Sequence, residues 1–147
     1  MQVKKALVTV TGSKVDDDAV ELACWIAKRN KAKLFVIYVI EVAREHPVDA
    51  ALQTEIAKAE EVLDRAERIA EKMDFEAKTE LLQAREAGPA VVDLAVQRGV
   101  DLILMGMGYK KKFGQFSLGS TTPYVLKNAP CNVMIFREPM EEETSGS

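Results

Sequence analysis

The chain predicts an α/β fold, a five-stranded parallel open sheet with helices on both faces in a Rossmann-like arrangement, and three observations point to it. Apolar, β-rich runs alternate with stretches whose apolar residues recur at helical spacing. The runs are almost continuously apolar, as strands buried on both faces must be. The segments joining them are short, which favours right-handed crossovers between parallel neighbours. At 147 residues, with 48% hydrophobic and 29% charged side chains, the chain suits one domain with a single core. We expect that domain over residues 1–138 and a disordered acidic tail over 139–147.

The first run, KKALVTVT at residues 4–11, is the expected first strand, and Gly12 and Ser13 end it. From Asp16 to Arg29 the residues Ala19, Val20, Ala23, Ile26 and Ala27 repeat as on one helix face, with Ser13 and Asp16 spaced as a capping box. AKLFVIYVIEV is the second strand. After a loop carrying His46 and Pro47, residues 49–73 place Leu52, Ile56, Ala59, Leu63, Ala66, Ile69 or Ala70, and Met73 on one stripe. That stripe reads as a coiled-coil seam or as a helix lying on a sheet, and the α/β pattern favours the sheet. FEAKTELLQA alternates more weakly and suits a strand near a sheet edge. GPAVVDLAVQRG is a third helix, with Pro89 in its first turn and Gly99 past its end. DLILMG, a helix from Ser120 to Asn128 and CNVMIF complete the alternation.

Composition excludes several classes. No apolar run is long enough to cross a bilayer, and the opening residues are too short and too soon polar for a signal peptide, so a soluble, cytoplasmic protein with no direct membrane insertion is expected. Cys24 and Cys131 make no disulfide framework and read as buried packing residues, while one histidine builds no usual zinc site. Nucleic-acid binding through Lys110, Lys111 and Lys112 fits poorly with an acidic chain lacking a basic stripe with aromatics.

Charge is unevenly spread. Leu102 to Arg137 holds no Asp or Glu but five cations, so a net charge of −3 leaves −8 for the rest. An anionic ligand belongs in this quarter. Ligands of such folds bind past the carboxyl ends of the strands where strand order reverses, and here the glycine-bearing strand exits are Thr11 to Ser13 and Gly106 to Gly108. Helix N-termini attract anions. The first helix opens on Asp16, Asp17 and Asp18, which repel a phosphate; the fourth opens on Gly119, Ser120, Thr121 and Thr122, with hydroxyls and no acid. The stretch before it, MGMGYKKKFGQFSLGST, is neither a Walker loop nor a GxGxxG fingerprint. By itself it reads equally as an anion cradle or as a solvated lysine-rich loop.

These residues resemble the universal stress protein family, whose nucleotide-binding members carry Gly-x2-Gly-x9-Gly-Ser/Thr after a strand ending in Met-Gly. Met105-Gly106 and Gly119-Ser120 stand at that spacing, and ALVTVTGS, LFVIYVIEV and LKNAPCNVMIF are similar to the family's first, second and last strands. Two positions depart from the pattern: Tyr109 stands at the second glycine, with Gly108 one residue early, and Thr11 stands where the family has Asp. The resemblance implies sheet order 3-2-1-4-5 and a site for ATP or another adenine nucleotide, with Mg2+, at the strand 1/strand 4 switch point. Thr9, Val10 and Thr11 would line the adenosine with Val39 beside the base. Met105 and Gly106 would meet the ribose and phosphate region, Gly108 and Tyr109 fall where the second glycine approaches, and Gly119, Ser120 and Thr121 would donate to phosphates. Each also has a plain structural reading: core or strand residues for Thr9, Val10, Thr11, Val39 and Met105, and helix caps for Ser120 and Thr121.

The implied function is a regulatory nucleotide-binding module. No histidine base pairs with a nucleophile and no carboxylates cluster, so we expect no catalytic residues, although a bound water and Mg2+ leave slow ATP hydrolysis open. The alternative is a family member that binds no nucleotide and acts through protein contacts, as a transporter-associated domain for example. Under either reading a homodimer is expected through the edge strand Cys131 to Phe136.

Overall fold

Alternation along the strands decides which helix each strand meets. The computed structural model describes residues 1–48, 51–109, 111–112, 115–116 and 118–140, with the backbone alone described at 111–112 and 115–116. In chain order the elements are β1 (Lys5–Thr9), α1 (Asp16–Asn30), β2 (Lys33–Glu41), α2 (Gln53–Lys72), β3 (Lys78–Ala84), α3 (Ala87–Arg98), β4 (Leu102–Met107), β5 (Lys111–Lys112), β6 (Gln115–Phe116), α4 (Thr121–Asn128) and β7 (Asn132–Arg137). The main sheet has the order β3-β2-β1-β4-β7 with every pair parallel, which is the expected order of its five strands.

Successive strand side chains point to opposite faces, and two cores follow. Ala6, Val8 and Val10, Leu34 and Val36, and Leu102 and Leu104 meet α1 and α2 on one face. Leu7, Phe35, Ile37, Ile103 and Met105 meet α3 and Val125 of α4 on the other. Leu7, Ile37 and Ile103 have no solvent exposure, and each such side chain contributes about 1.5–3 kcal/mol.

The helices follow their small-residue stripes. Ala19, Val20, Ala23 and Ala27 are the buried face of α1, and Ala59, Leu63, Ala66 and Ala70 that of α2. Leu63, Ala66 and Ala70 enter the same core as the α1 face, and Ala59 packs with Ile40 and Val42 at the end of β2, so the long stripe lies on the sheet. α2 begins later than the expected residue 49: Leu52 is its N-cap and is exposed. α3 ends at Gly99 as expected, with Pro89 in its first turn.

Three local expectations change. β1 stops at Thr9, leaving Thr11 in the turn before α1. The segment between β4 and α4, expected as a loop, contains the two-residue strands β5 and β6, paired antiparallel. Ser13 does not open α1; Val15 is its N-cap and no side chain caps it. The tail beyond residue 140, Lys110 and Gly114 lie outside the described residues.

Candidate functional site

The chain leaves β1 toward α1 on one face of the sheet and leaves β4 toward α4 on the other, so the strand tips part between them. A cleft of about 310 Å³ opens there. Thr9, Val10 and Thr11 from the end of β1, Val39 from β2, Met105 and Gly106 from β4, and Thr121 from α4 all line it. The same wall includes Thr122 of the hydroxyl-bearing helix start, and Ile37, Tyr38, Glu41, Ala87 and Val91, which sequence patterning did not single out for the site. Of these, Glu41 was detectable as the polar last residue of an apolar strand; Ala87 and Val91 carried no signal. Gly108, Tyr109, Gly119 and Ser120 lie outside the lining.

Hollows of similar or larger size lie elsewhere, among them one of about 350 Å³ between α1 and α2 and one of about 490 Å³ beside the end of β3 and α3. Neither opens on the parted strand tips between β1 and β4. In the first, Arg65 is tied by its Nε and Nη2 to the Asp17 carboxylate at 2.8 and 2.5 Å.

The helix ends beside the parted tips are built differently. At α1 the Asp16 side chain turns back onto the strand exit. Its carboxylate accepts from the Thr11 N–H at 3.2 Å, the Gly12 N–H at 2.7 Å and the Ser13 hydroxyl at 3.4 Å. Burial pushes the Asp16 carboxyl up from the ordinary aspartate range, against the pull of those two amides and the hydroxyl. The expected capping box is thus replaced by a carboxylate that occupies the donors of the turn itself. A second carboxylate serves α3, where Glu41 Oε2 accepts from the Ala87 N–H at 3.2 Å.

At α4 the first turn carries no acid, and the N-cap Ser120 makes no side-chain capping hydrogen bond. Gly119, just before it, has φ +69°, a conformation that β-carbons disfavour. α4 is pinned from behind by α3: a β-carbon on Gly88 would lie 2.9 Å from Tyr124 Cβ, so only glycine lets the two helices come this close.

Gly106 and Tyr109 have structural reasons for their identities. A β-carbon on Gly106 would stand 2.9 Å from Ala19 Cβ and 3.3 Å from Val15 Cγ1, so its bare α-carbon admits α1 while its backbone borders the cleft. One on Gly108 would meet Glu138 Oε1 at 2.8 Å, away from the cleft. The Tyr109 ring lies against the Arg137 guanidinium, 4.9 Å from ring centre to Cζ. β4 pairs Met107 with Arg137, so the tyrosine just past the strand is directed at β7.

Among the described residues no group of three or more His, Cys, Asp or Glu is placed to hold a metal ion. Cys24 is buried as expected, its thiol pushed up to about 11 by desolvation; Cys131 is only partly covered. No helix among the described residues is long and apolar enough to cross a membrane.

A doubly wound parallel sheet whose cleft lies at the strand-order reversal defines an α/β domain of the Rossmann-like class. The model of the universal stress protein family matches residues 2–137. The chain belongs to that family. A universal stress protein of Methanocaldococcus jannaschii is 32% identical over 145 residues, covering 95% of this chain and 85% of the relative. A universal stress protein of Archaeoglobus fulgidus, solved in complex with dAMP, superposes with a TM-score of 0.73 at 20% identity, over 92% of this chain and 98% of that one. Another universal stress protein, solved in complex with cAMP, gives 0.69 at 21%, over 93% and 98%.

Proposed function

We propose that the chain is a non-enzymatic cytoplasmic regulatory module that binds an adenine nucleotide in the cleft between the tips of β1 and β4. The nucleoside rests against Thr9, Val10, Thr11 and Val39, and the phosphate reaches Gly119, Ser120 and Thr121 at α4. One observation carries this reading: a single cleft gathers residues from β1, β2 and β4 together with the acid-free N-terminus of α4. The dAMP and cAMP complexes of its structural neighbours support the class of ligand. Thr11 in place of a carboxylate leaves the nucleoside a neutral hydrogen-bonding partner there, and the Tyr109 ring lies against the Arg137 guanidinium of β7.

Native protein, denatured and examined by mass spectrometry, is expected to release a nucleotide, and calorimetric titration with AMP, ATP and cyclic dinucleotides to give saturable heat for at least one. No released nucleotide and no heat from any of them would sink the reading.

A second reading, association through β7, rests on the sheet ending there with Met134 exposed. Pairing with a second copy would cover the edge whether or not nucleotide binds. Ultracentrifugation of the native protein and of Met134→Lys tests it: a dimer that the lysine dissociates is expected, and a native monomer would end it.

A further inference from the structure

The cleft is electrically lopsided. Glu41 is the only charged side chain among the described residues that line it, and it comes from the tip of β2, across β1 from the strand that leads to α4. β2 is separated from β4 by β1, so the tip of β2 and the start of α4 flank the cleft from its two sides. Ile37, Val39 and Glu41 alternate onto the same face of β2, which puts the carboxylate one step beyond Val39 along the wall. The Ala87 N–H holds Oε2, and Oε1 makes no hydrogen bond among the described residues. A carboxylate so anchored is an acceptor with a set direction.

Resting on the nucleotide reading above, we propose that Glu41 is the specificity-determining residue for the base, accepting from the exocyclic amine of an aminopurine. A nucleotide is itself lopsided, anionic at the phosphate and carrying N–H donors at the far edge of the base. With the phosphate at the acid-free end of the cleft, the base edge arrives at β2, where an ionised carboxylate favours a donor and opposes an acceptor. Adenine presents its amine there. Hypoxanthine presents a carbonyl oxygen in the same place, and two acceptors facing each other are disfavoured once the bound base covers the exposed Glu41. Val39 and Val91 supply apolar contact to either base and do not discriminate. The orientation of the ligand and its identity are therefore set by the same charge.

Titration of the native protein with AMP, IMP and N6,N6-dimethyl-AMP tests this without mutation. AMP is expected to bind about tenfold or more tightly than either analogue, since both lack the amine N–H. Glu41→Gln keeps an oxygen for the Ala87 N–H and turns an NH2 toward the cleft. It is expected to erase or invert the AMP-to-IMP preference while leaving the AMP-to-adenosine ratio, which reads the phosphate end, unchanged. AMP binding with an AMP-to-IMP ratio near one in the native protein would overturn the role of Glu41 and leave the nucleotide reading standing. So would an unchanged preference in a folded Glu41→Gln, which would make Glu41 only the cap of α3. Failure of every nucleotide to bind would overturn both.

Discussion

Two helix N-termini flank the parted strand tips; neither has a side-chain cap, and they differ in the charge of their first turns. At α1 the amides of the preceding turn are already taken by Asp16, a side chain only 9% exposed and itself backed by Asp17 and Asp18. At α4 the helix opens on Gly119 and Ser120 without an acid and without a side-chain cap. Both ends carry the same partial positive charge. What separates them is an internal anion: α1 has one built in, and α4 presents the same kind of end to whatever enters the cleft. An acidic first turn beside a carboxylate that ties the preceding turn makes α1 a structural joint, whereas the acid-free first turn of α4 repels no anion.

The contrast is broken most severely at the residue that docks α1. Gly106→Val drives a branched side chain into Ala19 and Val15, already 2.9 and 3.3 Å from a bare β-carbon. We expect a loss of about 3 kcal/mol in urea unfolding. Removing the internal anion comes next. Asp16→Ala strands the Thr11 and Gly12 amides, an expected loss of about 2 kcal/mol.

The Asp16 carboxyl also gives this end a pH signature. Because burial raises its pKa, the folded protein holds the proton more tightly than the unfolded chain. Its contribution to stability is therefore present at acid pH and is lost as pH rises from the ordinary aspartate range through the raised value. Unfolding of the native protein and of Asp16→Asn across that window should show the native stability falling relative to the variant. A parallel pair of curves would mean that Asp16 titrates normally.

At the α4 end the effects on stability are smaller. Gly119→Ala forces a β-carbon into the left-handed region at φ +69° with no described atom within 4 Å of it, so backbone strain of about 1 kcal/mol is expected. Ser120→Ala removes no capping bond, so its thermal midpoint should hardly move. The same variant is expected to weaken AMP about tenfold while leaving adenosine unchanged, as a lost contact to phosphate would. A large fall in the thermal midpoint, or equal weakening of both ligands, would make Ser120 a cap and cancel the contrast with α1.

Much of this architecture was readable in one dimension because it is local. Strand period, helix stripe, the acids at the start of α1 and their absence at α4 are all written within a few residues of where they act. The element order and the buried faces therefore matched expectation, apart from the short pair β5 and β6 and the later start of α2.

What needed the folded molecule is contact between residues far apart in the chain or a change in the direction of a side chain. The approach of Gly106 to Ala19, the bond from Ala87 to Glu41 and the turning of Tyr109 onto Arg137 link elements whose separation in the chain says nothing of their proximity. Asp16 is close to Thr11 in sequence, yet its spacing from Ser13 suggested a cap, and only the burial of the β1–α1 corner directs its carboxylate backward. Periodicity records which side of an element is apolar; the atoms that side meets are settled when the sheet and its helices close on each other, because packing is a property of the pair.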